Sequence, residues 1–159
     1  MKNEVYQRHL YWMNQAYLLG CEAGERGEIP VGAVIVDEKN RLVAKGSNSK
    51  ERDSDCTAHA EILAIRQASL VLKNWRLSGC SLYVTLEPCP MCAGAIIHSR
   101  IQTLIYGVDD YKTGSIRTVI NLPESACSNH RLEVFAGIGE EDCRQLLQSW
   151  FWNKRNLDN

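Results

Sequence analysis

The chain has 159 residues, 45% of them apolar and 23% charged, with a formal net charge of −1 and a pI near 6.4. That length predicts one soluble domain over 1–159, large enough for its own core and too short for two ordinary domains. The near-neutral charge excludes a protein coated in phosphate-binding cations and leaves only a local basic patch open; no apolar run approaches the ~18 residues of a membrane span, so no membrane partner is expected.

The predicted elements follow in chain order. Leu10, Met13, Tyr17, Leu18 and Cys21 recur at a helical period, which predicts a helix from about Glu4 to Glu22, broken by Gly24, Gly27 and Pro30. Val31 to Val36 is a short apolar run with β-branched residues, read as a buried strand. The turn residues Asp37 to Asn40 join it to a second strand, Leu42 to Gly46. Gly46 to Asp55 is polar and without period, hence a loop. Thr57 is the expected N-cap of a helix to about Leu72, apolar on two faces through Ala60, Leu63, Ala64, Ala68 and Val71, and through Ile62 and Ile65. Ser81 to Leu86 reads as a strand ended by Pro88, and a small-residue helix runs from Cys89 to about His98. Gln102 to Val108 is a fourth strand. Asp109 to Asn129 is irregular, with one helical turn around Ile116 to Ile120. Leu132 to Ala136 is a fifth strand, and Glu140 to Lys154 an amphipathic helix with Cys143, Leu146, Leu147, Trp150 and Phe151 on one face. A hairpin followed by βαβ units predicts a three-layer α/β/α domain around a mixed five-stranded sheet.

Seven cysteines, an odd number, follow a start at Met1–Val5 that has no apolar signal core. This argues against a disulfide framework and for a reducing, cytoplasmic setting, so the thiols need metal ligation or burial as their account. His59-Ala60-Glu61 and Pro88-Cys89-Pro90-Met91-Cys92 form an H-x-E…P-C-x-x-C pair, the known signature of zinc-dependent nucleobase deaminases. The chemistry fits. Zn²⁺ favours thiolate and imidazole in a tetrahedral shell. Cys89 and Cys92, three apart at a helix start, can turn both sulfurs to one point, and His59 makes a third ligand. Three protein ligands leave one position for water, the mark of a catalytic site. Glu61 is then the candidate base and acid. Residues i and i+2 of a helix point about 200° apart, so His59 and Glu61 can serve one water only if His59 lies at the cap, off the spiral.

Plainer readings compete. C-x-x-C at a strand-to-helix junction is also a redox motif. A four-ligand structural zinc would need Cys56, Cys80, His98 or His130 as a further donor, and would give Glu61 no task. Cys21, Cys80, Cys127 and Cys143 read as small core residues, His9 and His98 as surface residues or neighbours of the site, and Trp150-Phe151-Trp152 as core or interface.

At these motifs the chain resembles the bacterial tRNA-specific adenosine deaminases of the cytidine-deaminase-like superfamily. The shared stretches are Ile29 to Val34, Thr57 to Glu61, Leu82 to Cys89, Met91 to Ala95, His98 to Ile101, Lys112 to Gly114 and Asn129 to Arg131. The resemblance implies a cytidine-deaminase-like fold, one Zn²⁺ per subunit, a homodimer and conversion of adenosine to inosine at the wobble position of a tRNA anticodon loop. It implies that Asn48 and the Ala60 backbone N–H hold the base, that Ile29 and Leu86 wall the pocket, and that Asp110 and Lys112 meet the anticodon-loop backbone. Asn129, His130 and Arg131 are expected on the same rim. The chain departs from the family pattern at Cys56, usually proline, and at Ser115-Ile116-Arg117, usually a small glycine-containing stretch. Two other functions stay open: a guanine or cytosine deaminase acting on a free base or nucleoside, which the near-neutral charge suits, and a non-catalytic zinc-stabilised RNA-binding module. The first is discriminated by whether Lys112, Arg117, Arg131, Arg144, Lys154 and Arg155 gather beside the pocket.

Overall fold

In the computed structural model, which describes residues 2–157, the elements are α1 (Lys2–Glu25), β1 (Gly32–Val36), β2 (Leu42–Ser47), α2 (Lys50–Asp53), α3 (Ala60–Leu72), β3 (Ser81–Leu86), α4 (Pro90–His98), β4 (Thr103–Val108), β5 (Glu133–Ala136) and α5 (Glu140–Leu157). The ends of the expected 1–159 domain, Met1, Asp158 and Asn159, lie outside the described residues. The strands form one mixed sheet in the order β2-β1-β3-β4-β5. β1 is antiparallel to β2 and β3, while β3, β4 and β5 run parallel.

Each central strand is apolar on both faces and feeds two cores. Ala33, Ile35, Leu82, Val84, Leu104 and Tyr106 pack with α3 and α4 residues such as Ala64, Ala68, Ala93 and Ile96. Val34, Val36, Tyr83 and Ile105 pack with Trp12, Met13 and Ala16 of α1 and Cys143 of α5. Ile35, Leu82, Leu104 and Ile105 are fully buried, each contributing about 1.5–3 kcal/mol over an exposed position. A strand with apolar residues on both sides gains this twice over only in the middle of three layers, so the expected α/β/α architecture holds.

Several local expectations change. α1 continues past Gly24 and stops before Gly27, whose φ is +83°. Its inward face is Trp12, Met13, Ala16 and Ala23, with Leu18 52% exposed, because small side chains let the helix approach β1 closely. α2 lies inside the expected 46–55 loop. Its polar sequence carries no period, and what holds it is a buried carboxylate from elsewhere: Glu28 accepts the N–H of Arg52 at 2.9 Å and of Glu51 at 3.3 Å. Residues 115–118 form turns rather than a helical turn of α type. Cys80 and Cys143 are buried as expected and Cys21 partly so, but Cys127 is exposed. Among the described residues no helix is long and apolar enough to cross a membrane.

Candidate active site

The cap of α3 is His59, not Thr57. The backbone of His59 is extended, with φ −81° and ψ 150°, and its carbonyl accepts the first helical bond, from Leu63 N–H at 3.0 Å. Thr57 instead donates its N–H and hydroxyl to Asp55, at 2.8 and 2.7 Å, closing a turn ahead of the helix. His59 therefore stands off the regular spiral, the condition under which it and Glu61 can face one point. Gly46 of β2 makes room for this helix start: a Cβ there would lie 2.3 Å from the Ala60 carbonyl oxygen.

Cys89 plays the same part for α4. It caps the helix in extended conformation, with Pro90 in the first turn, where its missing N–H costs nothing. Cys92 follows in that turn and is fully buried. Both helix N-termini thus converge beyond the C-terminal end of β3, where open α/β sheets bind ligands, and their dipoles favour negative charge on the sulfurs.

His59 Nδ1 lies 3.7 Å from Cys89 Sγ and 3.5 Å from Cys92 Sγ, and the three donor atoms are within 4.8 Å of one another. Imidazole and two thiols at this spacing form a donor set suited to one Zn²⁺. Among the described residues no fourth Cys, His or carboxylate joins them. The alternative donors are placed elsewhere: Cys56 and His98 are exposed, Cys80 is in the core, and His130 Nε2 contacts the Ile101 carbonyl at 2.6 Å. The Cys89 thiol is held down to about 4 by its hydrogen bonds with Cys92 and His59, while Cys92 is pushed up by that shared bond and by burial. Glu61 is 4% exposed, and burial raises its carboxyl to about 7. It is hydrogen-bonded to the Cys92 thiol.

The donors open onto a cavity of about 140 Å³ lined by Ile29, Asn48, His59, Glu61, Leu86 and Asp110, among others. Sequence and sheet architecture bring these together from three loops and two helix starts. The zinc-binding region of the cytidine and deoxycytidylate deaminases matches residues 6–108. The chain belongs to that deaminase family. It is similar to the tRNA-specific adenosine deaminase of Haemophilus influenzae, 47% identical over 143 residues that cover 90% of this chain and 83% of the relative. It also resembles a solved tRNA:A34 deaminase, studied for A-to-I editing at the wobble position of transfer RNA, with TM-score 0.84 and 40% identity over 86% of this chain and 99% of that one. A guanine deaminase from Nitrosomonas europaea shares the fold alone, at TM-score 0.75 and 23% identity over 89% and 83% of the two chains.

In this deaminase fold the expected base-holding pair bonds to itself. Asn48 Oδ1 accepts the Ala60 N–H at 2.8 Å, which fixes the side-chain amide and leaves its NH₂ as the donor toward the cavity. Asp110 lines the cavity, yet its carboxylate is spent on the loop, accepting Lys112 N–H at 2.9 Å and the Thr113 hydroxyl at 2.8 Å. Lys112 is exposed on that loop. Asn129, His130 and Arg131 are not brought to this cavity. Arg100 donates to Asn129 at 2.8 Å, and His130 sits against Ile101, so both lie before the N-terminal end of β4, roughly 20 Å from its other end at ~3.3 Å per residue.

The basic side chains divide. Arg117 pairs with Asp109 at 2.9 Å, and Arg144 pairs with Glu140 and Glu141. Lys154 lines a second cavity with Trp150 and Phe151, which shares Ile29, Asn48 and Lys50 with the first. Lys50 was not anticipated, since α2 itself was not legible. Glu87, buried and lining the first cavity, was also missed. A charged residue between an apolar strand and Pro88 was the available signal.

Proposed function

We propose that this chain converts adenosine to inosine at the wobble position of a tRNA anticodon loop, as one domain holding one Zn²⁺ per subunit in a cytoplasmic homodimer. The observation that carries the chemistry is the buried Glu61 beside the His59, Cys89 and Cys92 donors in a cavity of about 140 Å³. The close relatives named as tRNA adenosine deaminases support the substrate.

A zinc ion on those three residues supplies an acidified water. Glu61 takes one proton from that water and delivers it to N1 of the adenine as the water oxygen bonds to C6. Glu61 then carries the second proton to the amine, the C6–N6 bond breaks, and ammonia leaves. Each water proton is accounted for, one on N1 and one on the departing nitrogen. A carboxyl raised to about 7 can both accept and donate near neutral pH. Asn48 NH₂ donates to an acceptor on the purine, while Ile29 and Leu86 wall the base. The target must be unpaired or flipped to reach Glu61, and an anticodon loop offers such a base at little cost.

The test is direct. The zinc-loaded protein, incubated with a tRNA pool and separately with free adenine, guanine and cytosine, is expected to form inosine in tRNA, with activity falling as salt rises. Lys112→Ala should weaken RNA binding and lower the salt slope by roughly 1, with zinc content unchanged. Efficient deamination of free guanine or cytosine with tRNA untouched would replace this substrate by a small base.

For the dimer, the outer face of α4 is the expected surface. Ala93, Ile96 and Ile97 point into the chain's own core, so they are not available. Met91, Gly94, Ala95 and His98 recur at i, i+3, i+4 and i+7 on the other side, partly or fully exposed, and a Cβ on Gly94 would meet nothing within 4 Å. Such a face allows close two-fold packing. Sedimentation should give a dimer at micromolar concentration and a weakened one for Gly94→Glu; a strict monomer would remove this element of the proposal.

A further inference from the structure

Glu87 makes more hydrogen bonds than any function assigned so far requires. It follows the last residue of β3 and precedes Cys89 by two positions, and it is 2% exposed. Its own N–H is fixed on the Val108 carbonyl at 2.9 Å. One carboxylate oxygen, Oε1, accepts the N–H groups of Ile116, Arg117 and Thr118 at 3.1, 2.8 and 3.2 Å. The other, Oε2, accepts the Asp110 N–H at 2.9 Å and the Thr118 hydroxyl at 2.8 Å. No cation faces it: the guanidinium of Arg117 turns away to Asp109. Five donors therefore converge on one side chain from two ends of the 110–118 loop.

The loop closes around this carboxylate at a position that tolerates no side chain. A Cβ on Gly114 would lie 2.3 Å from Glu87 Oε2, 2.1 Å from Thr118 Oγ1 and 2.3 Å from the Asp110 carbonyl oxygen. The same loop bonds to the residue just before the metal ligand, through Ser115 N–H on the Pro88 carbonyl at 2.9 Å. Asp110 and Thr113, held in this way, line the base cavity, and Lys112 stands between them.

We infer that Glu87 is a positioning residue for the substrate: it locks the Asp110–Thr113 rim in register with the Cys89 turn, so that the rim meets the nucleotides flanking the target base. This rests on the RNA reading above. It also accounts for Ser115-Ile116-Arg117 departing from the family pattern without cost. The carboxylate reads the backbone N–H groups there, and side chains are free to vary as Ser115 and Ile116 fill the core and Arg117 pairs with Asp109.

Glu87→Gln separates this role from a general one in folding. With its oxygen kept on Ile116, Arg117 and Thr118, the variant places an NH₂ against the Asp110 N–H, donor against donor, and only that end of the loop is released. The zinc-loaded wild type, Glu87→Gln and Gly114→Ala are compared by metal content, by amide exchange and by kinetics on an RNA stem-loop with adenosine at the wobble position. Both variants are expected to keep wild-type zinc and to exchange faster in residues 110–114. In both, KM should rise roughly tenfold, the worth of one hydrogen bond to a charged group, with kcat little changed. Loss of zinc, an equal fall in kcat, or a KM within a factor of about two of wild type in both variants would overturn the inference. A wild type inactive on the stem-loop would instead count against the RNA reading. The comparison is then made on guanine, where a rim serving flanking nucleotides predicts no change in KM and a tenfold rise would overturn it.

Discussion

Glu61→Gln is expected to retain its metal, fold and RNA affinity while losing turnover by at least ~10²–10⁴. The substitution keeps the size of the side chain at a position that is 4% exposed, in the first turn of α3, so packing should hold. What it removes is the group that exchanges protons. The amide cannot accept the water proton, and it cannot return one to N1 or to the leaving amine. Because the same carboxyl serves both transfers, no other side chain in the cavity takes over: Asn48 is fixed on Ala60, and Glu87 is saturated by loop donors. The measurement is inosine formation by protein whose zinc content matches wild type. Near-normal activity would remove Glu61 from the mechanism, and with it the main argument against a purely structural zinc site.

The order and type of the long elements could be read from the sequence because apolar periodicity and tertiary burial agree there. The strands of the central sheet are apolar on both faces, and the two cores they feed are those of a three-layer domain. The metal set was also legible, since both of its parts sit at helix starts within a few residues of each other. Thr57 misled as a cap because a hydroxyl can close a turn with Asp55 as readily as it can cap a helix. The rim was less legible for a related reason. Glu28 and Glu87 act through main-chain N–H groups more than 20 residues away, and the residues they hold have no side-chain pattern to betray it. Asn129 to Arg131 carried a family motif, but their place is set by β5 running parallel to β4, which delivers them to the opposite end of the sheet from the donors. Sequence motifs marked the chemistry; the buried carboxylates that arrange the loops around it became visible only as hydrogen bonds.

Cys89→Ser and Cys92→Ser should each abolish zinc binding at stoichiometric metal, and with it all deamination. A serine hydroxyl does not deprotonate in this setting, so a ligand is lost and the remaining pair no longer neutralises the dication. Even partners that only orient a ligand are worth roughly 10–100-fold in metal affinity, so removal of a ligand itself should exceed that. The two variants should differ in stability. Cys89 is the half-exposed cap of α4, where serine is a favourable residue that can accept a helix N–H. Cys92 is fully buried, packed beside Glu61, and a hydroxyl there must find a partner or bear the cost of burial. Cys89→Ser is therefore expected to melt closer to metal-free wild type, and Cys92→Ser below it. Metal analysis and thermal unfolding of both variants, beside wild type with and without chelator, decide the matter. Zinc near one per chain in either variant would break the three-donor assignment, and a zinc-free wild type with a reversible Cys89–Cys92 disulfide would give the pair a redox role instead.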